Sequence, residues 1–188
     1  MPPRRAGLEQ AHDKRGQMMV IDEDTVAVFL GDVVERGMRN RLDETAHPHV
    51  DGAHAALETF YHAFNTRTLD LFRQIWVDDP FIQLNNPVGG IVRGAGEIAA
   101  LYARIFEGPV RVRVELWDIV RYAAPGVVVF AGRERGTYER DGHAEPLDIR
   151  TTRIFRYIDG QGWRQLHHHG SIDDAGRLAQ YQRAVRDA

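Results

Sequence analysis

The 188-residue sequence contains no cysteine, which excludes disulfide frameworks, thiolate metal sites and cysteine nucleophiles. Long apolar runs are missing too. No stretch approaches the roughly 18 consecutive apolar residues of a membrane span, and the polar residues 1–17 lack the apolar segment of a secretory leader. A cytoplasmic address is the simplest expectation. The formal net charge of −3 gives no surplus of Lys and Arg, so neither nucleic acid nor an anionic membrane is an expected partner. A phosphate-cradling loop is also lacking, because Gly94-Ala95-Gly96 has neither the strand nor the Lys such a loop needs. No cofactor is expected.

What is present is ordinary globular material, 43% hydrophobic and 27% charged, long enough for one domain plus a modest extension. Residues 1–20 show no periodicity and are assigned no structure. From Thr25 to about Arg39, Val26, Phe29, Leu30, Val33 and Val34 recur at spacings of three and four, which predicts an extra amphipathic helix capped by Asp24 or Thr25. Leu42–Asp51 reads as a linker, placing a domain boundary near Val50. A second stripe begins with Leu57, Phe60, Tyr61 and Phe64, and a shorter helix carries Leu69, Phe72, Ile75 and Trp76 before Asp78-Asp79-Pro80 stops it.

Phe81–Leu84 and Ile91–Arg93 flank the turn-forming Asn85–Gly90 and predict a short strand pair; a helix with Ile98, Leu101, Tyr102 and Ile105 follows. Val110–Tyr122, Val127–Tyr138, Leu147–Ile158 and Trp163–Ser171 then read as four successive strands, the middle two joined at Asp141-Gly142. Helices followed by strands on tight turns point to an α+β fold with an antiparallel sheet packed on helices at one face. Residues 174–188 are expected to form a helical tail.

Alternation along Leu147–Ile158 puts Leu147, Ile149, Thr151, Arg153, Phe155 and Tyr157 on one face, with Arg153 the only charge among them. A buried guanidinium needs a carboxylate, backbone carbonyls or an anionic ligand. Either an internal ion pair or a ligand site satisfies that need. The neighbouring strand offers Glu134 as the natural partner, and the strand before it offers Asp118 as a spare acid beside Val112, Val114, Leu116 and Val120.

Residues 150–173 carry a specific pattern. Thr152-Arg153-Ile154-Phe155 leads through Asp159-Gly160 to Trp163, Leu166, His167, His169 and Ser171, with one extra residue in the turn, Gln161 or Gly162. This resembles the closing hairpin of SnoaL-like proteins, in the nuclear transport factor 2-like superfamily, and of the calcium/calmodulin-dependent protein kinase II association domain. Asn86-Pro87-Val88-Gly89-Gly90-Ile91-Val92-Arg93-Gly94 also resembles the family's first hairpin, so the likeness spans about residues 51–173.

The resemblance implies a cone-shaped, curved antiparallel half-barrel packed on three helices, commonly dimeric, with a pocket between sheet and helices. It supports a pocket role for Arg153, puts Leu166 and His168 toward the pocket, and leaves Gly170 where the kinase domain has a further arginine. A homodimer is expected through an outer sheet face carrying Trp117, Ile119, Ile154 and Trp163. Two functional readings stand. One is a binding protein holding a small ligand, with a carboxylate as one option, at Arg153, Glu134 and Tyr102. The other is an isomerase, dehydratase or related lyase in which His168 and Asp118 form an acid/base pair. His167 and His169 supply only two of the three or four ligands a zinc site needs, so no metal is expected.

Overall fold

A computed structural model of the chain describes residues 16–31 and 39–186. Its strands are β1 (Met18–Val20), β2 (Val26–Gly31), β3 (Gln83–Asn85), β4 (Ile91–Arg93), β5 (Arg111–Ala124), β6 (Val127–Arg140), β7 (His143–Ile158) and β8 (Gly162–Ser171). Its helices are α1 (Val50–Thr66), α2 (Leu69–Ile75), α3 (Ala95–Glu107) and α4 (Ala175–Arg186), with a 3-10 turn at Leu42–Ala46. The strands form one unclosed sheet in the order β1-β2-β5-β6-β7-β8-β3-β4, antiparallel throughout except where β3 runs parallel to β8.

α1, α2 and α3 cover the concave face and bury a continuous core in which Phe60, Phe72, Tyr102, Leu116, Phe130 and Phe155 are nearly inaccessible. Burial of each such side chain contributes about 1.5–3 kcal/mol. α1 ends at Arg67, in the left-handed region at φ 57°, and its Nη1 donates to the Phe106 carbonyl at 2.7 Å, tying the end of α1 to the end of α3. Among the described residues no helix is long and apolar enough to cross a membrane.

The helix expected over Thr25–Arg39 is corrected. Val26–Gly31 is a strand, paired with β1 on one side and β5 on the other; residues 32–38 lie outside the described residues. β5 would otherwise be a bare sheet edge with a row of unpaired backbone groups, and the β-branched Val26 and Val28 suit a pleated strand. Tertiary pairing thus overrides a helical spacing. The additional helix lies instead at the C-terminal end, as α4, in the expected tail.

β5 and β8 each carry an irregularity that bends the sheet. In β5 the register jumps from Trp117↔Arg133 to Val120↔Ala131, so Asp118 and Ile119 together oppose Gly132. Asp118 sits at φ 53°, a conformation that Asp tolerates better than most residues. Gly132 is required opposite, since a Cβ there would meet the Trp117 carbonyl oxygen at 2.5 Å. In β8 the pairing with β7 shifts between Ile154↔His167 and Phe155↔Gln165, leaving Leu166 as the extra residue. A one-residue slip exchanges the two faces of everything beyond it.

Candidate functional site

Strand alternation aims Arg153 of β7 into the cone, where it is 1% exposed. Its direct neighbour on β6 is Phe130, whereas Glu134 lies opposite Ile149, so the guanidinium runs along the strand to reach its acid. Arg153 Nη2 donates to Glu134 Oε1 at 2.5 Å, Nε donates to the Tyr61 hydroxyl at 3.0 Å, and Nη1 donates to Gln165 Oε1 at 3.1 Å. Tyr61 in turn donates to the same Glu134 Oε1 at 2.8 Å. The guanidinium carbon lies 3.7 Å from the Phe60 ring centre, so an aromatic face completes the enclosure. Burial works against the Arg153 charge, but Tyr61 and Glu134 more than offset it and its pKa is raised. Burial also pushes the Tyr61 and Tyr102 hydroxyls up, so both stay protonated.

His168 of β8 faces the same interior, paired in register with Arg153 on one side and Leu84 on the other. Its Nε2 is 3.0 Å from Thr151 Oγ1 and 3.8 Å from Glu134 Oε1. Burial, then the Arg153 charge, holds its pKa well below the usual histidine value, so the ring is neutral. Nδ1 of His168 and Nε2 of Gln165 are buried without a hydrogen-bond partner.

Of these groups, Arg153, Glu134 and His168, with Phe60, line one end of a cavity of about 50 Å³. The rest of its wall is largely apolar, from Phe64, Leu101, Ile105, Val112 and Ile149, with Tyr102 of α3 and Tyr181 of α4 at its sides. Both hydrogen bonds to Glu134 end on Oε1; Oε2 has no partner among the described residues, and Glu134 lines the cavity.

The structure therefore brings together Arg153, Glu134, Tyr102 and His168. It does not bring Asp118 to them. The β5 bulge turns Ile119 inward, 1% exposed, and puts Asp118 in an open groove on the outer face beside Arg133, Arg150 and His169. The proposed His168–Asp118 acid/base pair is thus split across the sheet. The same inward turn removes Ile119 from the outer face, and Trp163 is also internal, 2% exposed with its Nε1 donating to the His47 carbonyl at 2.9 Å. Of the four apolar residues expected outside, only Trp117 and Ile154 remain partly exposed. Leu166 lies at the β8 irregularity and does not line the cavity. Among the described residues no three His, Asp or Glu side chains gather as a metal site would require.

Three participants escaped the sequence reading. Strict alternation along β8 would put Gln165 and His168 on opposite faces, and only the irregularity at Leu166 turns them to the same side. Tyr61 looked like one more member of an apolar stripe. Tyr181 lies in the tail, where only its spacing from Leu178 and Val185 hinted at a buried face.

A model of the SnoaL-like domain matches residues 53–174. The chain therefore belongs to the SnoaL-like domain family, and its fold is the nuclear transport factor 2-like α+β cone. Among solved structures it is similar to a candidate calcium/calmodulin-dependent protein kinase type II association domain from Thiobacillus denitrificans, with 26% identity, TM-score 0.52, and coverage of 64% of this chain and 94% of that one. It is similar to a candidate dehydratase of the nuclear transport factor 2-like family from Streptomyces avermitilis, at 20% identity, TM-score 0.60, covering 67% and 97%. A ketosteroid isomerase-like protein from Erwinia carotovora atroseptica matches at 19% identity, TM-score 0.55, covering 64% and 92%. No curated protein matches.

Proposed function

We propose that the protein binds a small, mostly apolar molecule carrying one uncharged oxygen-bearing group, held at the Glu134 end of the cavity. The observation that carries this is the unpartnered Glu134 Oε2 in a cavity whose wall away from Arg153 and His168 is largely apolar. A hydroxyl can donate to that oxygen and accept from the nearby Tyr102 hydroxyl, so an alcohol satisfies both partners. The carboxylate-bearing ligand considered from the sequence fits less well. Arg153 is already neutralised by Glu134 at 2.5 Å, so an incoming carboxylate would meet no net positive charge and would have to compete with Glu134 for the guanidinium.

Calorimetric titration with 1-butanol and with butyrate tests this. The expected result is measurable binding of 1-butanol and at least about tenfold weaker binding of butyrate, a difference of about 1.4 kcal/mol. Tighter binding of butyrate would restore the anion reading.

A lyase or isomerase is the second reading, as the dehydratase and isomerase-like neighbours suggest. In this chain it rests on Glu134, which lines the cavity with one carboxylate oxygen free and is a group able to take a proton from a bound molecule. A homodimer through the outer sheet face remains part of the proposal, resting on the partly exposed Trp117 and Ile154.

A further inference from the structure

The cavity has a neighbour that shares part of its wall. A second cavity, of about 280 Å³, shares Asn86, Leu101, Ile105, Val112 and Tyr181 with the first. Its remaining wall is mostly apolar, with Arg104 its one charged residue. Leu101, Ile105 and Val112 thus form a continuous apolar strip from the inner cavity to the outer one. Tyr181 also lines both spaces, its ring tilted against Tyr138 with centres 4.9 Å apart.

Tyr181 reaches this position from α4, which is capped at its base and held along its length by side chains, with Leu178, Ala184 and Val185 packed against the core. Asp174 caps it, Oδ1 accepting from the Arg177 amide at 2.7 Å, and Asp173 is 3.4 Å from Arg133. Farther along, Gln182 Nε2 donates to the Val88 carbonyl at 2.9 Å and Arg140 Nη1 donates to the Ala184 carbonyl at 2.7 Å. Backbone approaches between α4 and the rest of the fold are few. An element held through side chains rather than by backbone pairing opens at lower cost than the core sheet does.

We propose that the two cavities are the ends of one site for an elongated ligand, an apolar chain of medium length with an uncharged oxygen-bearing head, and that Tyr181 is a movable partition between head and tail. The inner cavity, about 50 Å³, holds roughly four water-sized groups, so the tail of any larger ligand has to extend beyond it, along the wall that the two cavities share. The apolar strip beyond offers it a matching surface. This inference rests on the head group sitting at Glu134.

The test is a series of primary alcohols from 1-butanol to 1-octanol, titrated calorimetrically into the full chain and into two variants. In the unmodified protein affinity should climb with length, up to about fourfold for each methylene that is buried. Tyr181→Ala removes the partition and should raise the ratio of octanol to butanol affinity about tenfold. Val185→Trp, on the partly buried side of α4 facing only the outer cavity, should flatten the series while leaving 1-butanol unchanged. If 1-butanol binds but the series is flat in both the unmodified protein and Tyr181→Ala, the composite site is wrong and the proposed function stands. A steep series that Val185→Trp leaves untouched would also overturn it, because the tail would lie elsewhere. Failure of every alcohol to bind would remove the proposed function itself.

Discussion

Arg153 is the residue on which the interior is organised, and its environment sets what its loss should do. It is 1% exposed, bonded to Glu134, Tyr61 and Gln165. Arg153→Ala leaves the Glu134 carboxylate buried without its cation, an arrangement that costs about 3–5 kcal/mol. Arg153→Met combined with Glu134→Gln removes both charges while keeping similar volume and should recover most of that loss, since a buried pair is often replaceable by uncharged groups. Urea unfolding of the two single variants and the double variant checks this. A double variant no more stable than Arg153→Ala would show that the pair does more than balance its own charges.

At the scale of elements, the bulge in β5 controls which side chains reach the site. Gly132→Ala should destabilise by about 1–3 kcal/mol, because the new methyl group meets the Trp117 carbonyl oxygen at 2.5 Å. Asp118→Gly should be tolerated, since glycine is at ease at φ 53°. Thermal unfolding of both variants checks the pair, and equal loss in the two would contradict the geometry. This bulge also marks the limit of sequence reading. Arg153 and Glu134 were legible because each is the lone charge on an alternating apolar strand face, and no irregularity lies between them. Asp118, Ile119 and Trp163 were misplaced because strict period two fails at a bulge, and nothing in the local residues announces the extra position. β2 was misread for another reason: its neighbours Val26, Phe29 and Leu30 fit a helical spacing by chance, while the force deciding their conformation is the open edge of β5.

For the molecule as a whole, the edge role of β2 yields a further expectation. Removing residues 1–24 takes away β1, the one strand among the described residues of that segment, and should leave unfolding nearly unchanged. Removing residues 1–38 uncovers β5 and should cause self-association through the exposed edge. Sedimentation of the two truncated chains distinguishes them; identical monodisperse behaviour would mean that β2 is not needed to protect β5.

Acid sensitivity is also a property of the whole fold. Burial, reinforced by Arg121, lowers the His54 pKa to about 4, and burial with Arg153 lowers that of His168. Unfolded histidine titrates near pH 6.5. Below that value the unfolded chain takes up protons that the folded chain refuses, so stability present above about pH 6.5 is lost as pH falls toward the folded values. The melting temperature should drop between pH 7 and pH 5, by roughly 2–4 °C for each kcal/mol lost. His54→Gln should make that slope shallower; an unchanged slope would mean His54 is protonated in the fold.

The central claim is that the Glu134 end of the cone receives the uncharged head of a ligand. A crystal structure of the protein soaked with 1-butanol tests it most directly. The expected result places the alcohol oxygen within about 3 Å of Glu134 Oε2, its carbons against Leu101 and Val112. An alcohol bound only in the outer-face groove beside Asp118 and His169, with the Glu134 end of the cavity empty, would contradict it.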